Sequence, residues 1–133
     1  CIMPTIFTRI IQGEIPCHKI AETSNCFAFL DIRPLAKGHT LVIPKTEVDY
    51  FFDLPQDIIH EIMDLSRKIA VAIKEVVPCT KVGISVIGLE VPHAHLHLVP
   101  IAAIGDMNFS KEKMSLSDKE MEELATQIRS RIS

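Results

Sequence analysis

The stretch His93-Ala94-His95-Leu96-His97-Leu98-Val99-Pro100 alternates imidazoles with apolar side chains. Such a period of two is typical of a β-strand that buries one of its faces. All three imidazoles are then predicted to lie on one face of the strand, while the apolar residues enter the core. With 6 histidines in 133 residues, random placement would produce this triplet about 0.01 times per chain. The pattern therefore predicts a functional site on a strand.

Further strands are predicted on both sides of this stretch, from apolar runs separated by turn residues. The predicted segments are His18–Glu22, Cys26–Ile32, His39–Pro44, Lys81–Leu89 and His93–Ala102. The last two are separated only by Glu90-Val91-Pro92, which favours antiparallel pairing.

Three other segments show helical periodicity. A short helix is predicted at Thr5–Gln12, before Gly13, and a long one over Gln56–Val77, which Pro78 ends. Ser117 and Glu120 form a capping-box pattern that begins a C-terminal helix reaching about Ile132. Ser110–Ser115 is a polar link. This order predicts an α+β fold with a mostly antiparallel five-stranded sheet.

Composition limits the class of protein. A length of 133 residues predicts one domain, 1–133, with a core at about 5–102 and a helical extension at about 116–132. A formal net charge of −3 provides no basic field for nucleic acid or an anionic membrane. No apolar run approaches the ~20 residues that span a bilayer. No secretory leader pattern opens the chain, so the cytoplasm is the expected location.

The four cysteines are Cys1, Cys17, Cys26 and Cys79. Their wide and unequal spacing, without a C-x-x-C motif, predicts reduced thiols rather than disulfides or a thiolate metal site.

The histidine row itself leaves three interpretations open. A neutral imidazole, oriented through one nitrogen, can attack phosphorus with the other and form a covalent intermediate. Three imidazoles could instead bind a catalytic zinc ion. They could also line a polar sheet face without chemistry. Nucleophilic catalysis is favoured, because solvation alone does not call for histidine at three successive positions.

Taken together with the row at His93–Val99, three upstream blocks resemble the histidine triad (HIT) family of nucleotide hydrolases and transferases. The blocks are Thr5–Pro16 (TIFTRIIQGEIP), Ala28–Pro34 (AFLDIRP) and Gly38–Lys45 (GHTLVIPK). The resemblance covers about Thr5–Pro100 and implies the HIT-like fold, usually found as a homodimer.

The resemblance also implies roles for individual residues. His95 matches the nucleophile that forms a nucleotidyl-histidine, His93 and His97 match the flanking histidines, and His39 matches a fourth, supporting histidine. The flanking imidazoles are expected to orient His95 and to balance phosphate charge. Asp31 lies where the family holds the ribose hydroxyls, which suits a carboxylate acceptor. The walls of the base pocket are matched by Ile6, Phe7, Ile10, Phe29, Ile32 and Leu41.

Two departures from the family pattern stand out. Many relatives hold the phosphate with polar residues ahead of the triad, whereas this chain has Leu89 and Glu90 there. Glu90 either points away, acts on the leaving group or indicates a different substrate, because like charges repel at short range. Some relatives also bind a structural zinc ion, but Thr5, Thr8 and Glu47 stand at its ligand positions, so no structural metal is expected.

The resemblance therefore implies a nucleotide phosphoramidase or nucleotidyl hydrolase that cleaves at the α-phosphate of a purine nucleotide conjugate through His95, with no cofactor. One alternative is a zinc-dependent hydrolase that uses the three triad histidines as ligands. The other is a nucleotide sensor in which Leu89 and Glu90 have removed efficient turnover.

Overall fold

The computed structural model of this chain describes residues 3–132. Its helices are α1 (Ile6–Ile11), α2 (Gln56–Val76) and α3 (Asp118–Ser130), and its strands are β1 (Lys19–Glu22), β2 (Cys26–Leu30), β3 (Thr40–Pro44), β4 (Lys81–Ser85) and β5 (Leu96–Ile101). Short 3₁₀ turns lie at Phe51–Asp53 and Ile104–Met107. The predicted α+β class is confirmed.

The five strands form one antiparallel sheet in the order β1-β2-β3-β5-β4. Adjacent strands β2 and β3 are joined through a loop, and β5 inserts between β3 and β4. Leu41 of β3 is paired with His97 of β5. This pairing brings the third triad histidine beside the upstream block at Gly38–Lys45.

The sheet buries both of its faces, as alternation along the strands dictates. One face carries Ala28, Val42, Leu96 and Leu98 and packs against α2 and α3 in the main core. The opposite face carries a second group, which we call the apolar cluster: Phe7 of α1 with Phe27, Phe29, Leu41 and Ile43. His97 alternates with Leu96 and Leu98, so it lies on the same face as the apolar cluster.

The helix boundaries follow their capping residues. Thr5 caps α1 by accepting a hydrogen bond from the Thr8 N–H at 3.1 Å. Ser117 and Glu120 form the predicted capping box at the start of α3. The long helix α2 ends at Val76, two residues before Pro78. None of the helices within residues 3–132 is long and apolar enough to cross a bilayer.

The predicted lengths of β4 and β5 are wrong. β4 ends at Ser85 instead of Leu89, and β5 begins at Leu96 instead of His93. The connection therefore comprises residues 86–95, and its backbone bonds elsewhere: the His93 N–H donates to Val91 at 2.8 Å and the Ala94 N–H donates to Val48 at 2.7 Å. Only His97 of the triad lies within a strand. Other predicted ends differ by one or two residues.

Cys17, Cys26 and Cys79 are free thiols, as predicted. Burial raises the pKa of the Cys26 thiol to about 11, so this cysteine stays protonated and inert. Cys1 lies outside the described residues.

Candidate active site

Four imidazoles are buried on the face of the sheet that carries the apolar cluster. His39 and His93 are almost fully buried, and His95 and His97 are 7% and 8% exposed. The Phe7 ring contacts both His93 and His95, with centroid distances of 5.7 and 5.0 Å. The structure therefore brings together all four histidines that the sequence singled out.

His95 has one nitrogen bound and one free. Its Nδ1 lies 2.7 Å from the carbonyl oxygen of His93, and because a carbonyl only accepts, Nδ1 carries the proton. In the neutral imidazole Nε2 then holds the lone pair. This is the tautomer that a nucleophilic histidine requires.

A chain of hydrogen bonds fixes the tautomers of His39 and His97. The Leu35 N–H donates to His39 Nδ1 at 3.0 Å, so the proton of neutral His39 sits on Nε2. That Nε2–H lies 2.9 Å from His97 Nδ1, which accepts it. His97 consequently carries its proton on Nε2. The centroids of the His95 and His97 rings are 4.9 Å apart, so the ring that offers an Nε2–H donor adjoins the ring that offers an Nε2 lone pair.

His39 and His97 both remain neutral at pH 7. Burial lowers the pKa of His39 to about 4 and that of His97 to about 3. They can donate hydrogen bonds to a phosphate but contribute no net charge. The expectation that the flanking imidazoles balance phosphate charge stays a prediction.

His93 uses both ring nitrogens in hydrogen bonds to the protein. Nε2 donates to the carbonyl oxygen of Pro44 at 2.8 Å, and Nδ1 accepts from the Thr5 hydroxyl at 2.8 Å. Burial also lowers the pKa of His93. His93 thus acts as a support for His95, and it offers no free nitrogen to a zinc ion shared with His95 and His97.

The residues at the zinc positions of some relatives form a hydrogen-bonded cluster around His93. Glu47 Oε1 accepts from the Thr5 N–H and from the Thr8 hydroxyl, both at 2.7 Å. These donors lower the pKa of the Glu47 carboxyl. Hydroxyls are not among the usual zinc ligands, so Thr5 and Thr8 do not fit a structural zinc site.

Asp31 follows the end of β2 and faces the His39–His97 pair. Its Oδ1 accepts from the Arg33 N–H at 2.9 Å, and its Oδ2 lies 3.7 Å from His39 Nε2. Burial raises the pKa of this carboxyl, while the Arg33 N–H lowers it. Oδ2 keeps acceptor capacity for a ligand hydroxyl.

Donor atoms of Asp31, His39 and His97 all lie within 4.8 Å of one another, close enough to surround a cation. His39 Nε2 and His97 Nδ1 already share one proton, however. A cation would have to displace that proton and the hydrogen bond it makes.

The predicted base-pocket residues separate into two groups. Phe7, Phe29 and Leu41 belong to the apolar cluster, with Ile10 packed against it. Ile6 and Ile32 are instead 48% and 69% exposed. Leu89 is 90% exposed, and Glu90 beside it is also exposed, in the part of the 86–95 connection that precedes the buried His93.

Two further residues near the triad are not predictable from the sequence pattern. Phe109, in the segment between β5 and α3, packs its ring 4.7 Å from His97 and 6.1 Å from His39. Lys113 follows in the same segment, and its charge contributes to the lowered pKa of His39 and His97 and opposes the rise at Asp31. A polar link without periodicity does not reveal such contacts.

Comparison with known proteins agrees with this geometry. Residues 12–103 match the family model described as the HIT domain. The chain is 38% identical over 96 residues to the adenosine 5′-monophosphoramidase HNT1 of Saccharomyces cerevisiae, which is 71% of this chain and 61% of the yeast protein. It is also 38% identical to the Schizosaccharomyces pombe adenosine 5′-monophosphoramidase, with 74% of each chain covered. The chain thus spans less than two-thirds of the budding-yeast protein.

A solved structure shares the whole fold. A Hit-like protein of Bartonella henselae superposes with a TM-score of 0.82 at 28% identity, over 96% of each chain.

Proposed function

This chain belongs to the HIT domain family, and from that premise we propose that it is a nucleotide phosphoramidase or nucleotidyl hydrolase. Its substrate would be a purine nucleotide conjugate, cleaved at the α-phosphorus. The observation that carries the proposal is the free Nε2 lone pair of His95, beside the free Nε2–H of His97. The names of the two yeast relatives support the same chemistry.

The reaction would proceed in two displacements. His95 Nε2 attacks the α-phosphorus, a nitrogen–phosphorus bond forms, and the bond from phosphorus to the leaving group breaks. The leaving group takes a proton from solvent and departs, as an amine from a phosphoramidate, and the water of the second step returns a proton to solvent. Water then attacks the nucleotidyl-histidine, which releases the mononucleotide and restores His95. If another acceptor replaced water, the same intermediate would support nucleotidyl transfer.

The surrounding groups have distinct tasks in this scheme. The carbonyl of His93 holds His95 in its nucleophilic tautomer. The Nε2–H of His97 donates to a phosphate oxygen, where negative charge is concentrated during the transfer. His39 holds His97 in its donor tautomer through the 2.9 Å hydrogen bond.

The nucleoside would bind between Asp31 and the apolar cluster. Asp31 Oδ2 would accept from a ribose hydroxyl, since an ionised carboxylate only accepts. Phe29 and Leu41 would contact the base, with Ile10 behind them and the exposed Ile6 and Ile32 at the rim. The exposed Glu90 would lie on the leaving-group side.

We also propose a homodimer and a cytoplasmic location. The homodimer is supported by exposed apolar side chains on the edge strand β4 and on α2, including Ile84 at 50% and Val71 at 56% exposure.

The cytoplasmic location is supported by the free thiols at Cys17, Cys26 and Cys79, which fit a reducing compartment.

The direct test is hydrolysis of adenosine 5′-phosphoramidate by EDTA-treated protein, followed as AMP release. We expect turnover by the wild type and a loss of several orders of magnitude in His95→Asn. Activity abolished by EDTA and restored by zinc would favour the zinc-dependent alternative. AMP binding without turnover would instead favour the sensor.

A further inference from the structure

We infer that Lys113 binds the phosphate of the nucleotide and thereby makes the site specific for nucleotides over nucleosides. This inference rests on the proposed function of the site. Lys113 lies outside the 12–103 region that matches the family model.

His39 and His97 do not supply a positive charge to the site. A nucleotide phosphate is anionic at pH 7, but His39 and His97 are neutral there because burial lowers the pKa of each. Residues 88–92, which stand where many relatives are expected to hold the phosphate with polar side chains, contribute the acidic Glu90 and the apolar Leu89. A positive charge must therefore come from another part of the chain.

The segment between β5 and α3 folds back over the site. Its Phe109 ring contacts His97 and His39. Its Met114 N–H donates to the carbonyl of Pro34 at 2.8 Å. Pro34 lies in the β2–β3 loop, between Asp31 and His39. The segment is thus attached at Phe109 and at Met114, which flank Lys113 in the sequence.

The Lys113 ammonium is held in place while keeping a donor free. It donates to the carbonyl of Phe109 and, at 3.3 Å, to that of Lys111. An ammonium has three N–H donors, so one remains for a ligand. The side chain is half-buried, and its charge acts on His39, His97 and Asp31. A half-buried charge is less screened than one on the open surface.

A purely structural role for Lys113 makes a different prediction. If the lysine only compensates the Asp31 carboxylate, its loss should disturb ribose binding, and adenosine and AMP should weaken together. If it binds phosphate, only AMP should weaken.

The experiment compares the dissociation constants of AMP and adenosine by calorimetry, for the wild type and Lys113→Met. Methionine keeps an unbranched stem of similar length and removes the charge. Lys111→Met is the matched control, since it removes the same charge two residues away. Lys113→Arg tests rescue of the charge. Thermal unfolding confirms that each variant is folded.

We expect Lys113→Met to weaken AMP binding about tenfold or more, the usual size of a charge-assisted hydrogen bond, with adenosine binding unchanged. Lys111→Met should leave both unchanged, and Lys113→Arg should recover most of the AMP affinity. Equal losses for the two ligands, or no loss, would overturn the inference while the proposed function stands. Failure of the wild type to bind either ligand would overturn the proposed function itself, and this inference with it.

Discussion

Each active-site imidazole is bound by a neighbour that decides where its proton lies. Leu35 can only donate to His39, and the carbonyls of His93 and Pro44 can only accept. The result is a lone pair on His95 Nε2 beside a proton on His97 Nε2. This asymmetry distinguishes a nucleophile from a donor among chemically identical side chains.

Thr5 is predicted to support the triad from the N-terminal side. Thr5→Val removes the hydroxyl that donates to His93 Nδ1 and caps α1, and it leaves only the Thr8 hydroxyl, at 3.5 Å, near that buried acceptor. We expect a loss of about 1–3 kcal/mol in the free energy of unfolding, together with reduced turnover of adenosine 5′-phosphoramidate. Chemical denaturation and AMP release measure the two effects.

Thr5→Ser is the matched control, since it keeps the hydroxyl for both His93 and the α1 cap. It should retain most of the wild-type stability and activity. A Thr5→Val protein as stable and active as Thr5→Ser would contradict the supporting role.

The lowered pKa values of His39 and His97 predict an acid-dependent loss of stability. Between pH 6.5 and about 4 the unfolded chain binds protons at these histidines, but the folded protein does not. The free energy of unfolding should therefore be greatest above pH 6.5 and fall as pH decreases through this window. Urea denaturation at pH 7.5, 6.0 and 5.0 measures the slope.

His39→Asn separates this effect from general acid sensitivity. The variant should be less stable than the wild type at pH 7.5, because Leu35 and His97 lose a partner. Its free energy of unfolding should fall less steeply as pH decreases. The difference between the two slopes should correspond to at most about one proton. Identical slopes for the two proteins would show that His39 does not titrate as described.

Among the elements, α1 and β3 meet at a hydrogen-bonded cluster of polar side chains around His93. Thr5 and Thr8 of the α1 end and Glu47, just after β3, surround His93. We predict that Thr5→Cys, Thr8→Cys and Glu47→His together create a tetrahedral zinc site, with His93 as fourth ligand. Zinc analysis of the purified variant should give one ion per chain.

The control for this design is Thr5→Ser, Thr8→Ser and Glu47→Gln, which preserves polarity without zinc ligands. It should purify without zinc. If the variant with Thr5→Cys, Thr8→Cys and Glu47→His also lacks zinc, the four side chains do not converge as the structure describes.

The strands and helices were largely predictable because each has a local signal. Periodicity identified α2, and the alternation in Leu96-His97-Leu98 identified β5. The same alternation wrongly extended β5 back to His93, since side-chain pattern does not reveal that the His93 and Ala94 N–H groups bond to Val91 and Val48. Backbone pairing between distant segments has no signature in a single run of residues.

The site was predictable where its residues share a motif and not where they meet only in space. The four histidines and Asp31 belong to recognisable blocks. Thr5 and Thr8 could be placed at metal positions, but their hydrogen bonds to Glu47 span about 40 residues. Lys113 belongs to the polar 110–115 link and Phe109 directly precedes it, and only the fold brings this segment to His97.

For the whole molecule, the sheet divides the protein into a structural side and a chemical side. α2 and α3 cover one face, whereas α1 and the 102–117 segment border the imidazoles on the other. The edge strand β4 and the outer face of α2 carry exposed apolar side chains. Because an edge strand also has unpaired backbone groups, this surface is suited to association with another chain.

The homodimer prediction is tested at this surface. Wild-type protein should sediment as a dimer at micromolar concentration, and Ile84→Lys should shift it towards monomer, because a charge would be buried in the interface. Ile104→Lys, at a position that is 96% exposed, is the matched control and should remain dimeric. A monomeric wild type, or a dimeric Ile84→Lys, would refute the assignment of this surface.

Covalent attachment of the nucleotide to His95 during turnover is the step on which the proposed mechanism depends. The stereochemical course at phosphorus tests it without requiring the intermediate to accumulate. The substrate is an adenosine 5′-phosphoramidothioate of known configuration, hydrolysed in ¹⁸O-labelled water. Two successive in-line displacements, first by His95 and then by water, predict net retention of configuration. Net inversion would mean that water attacks phosphorus directly, and it would contradict the account.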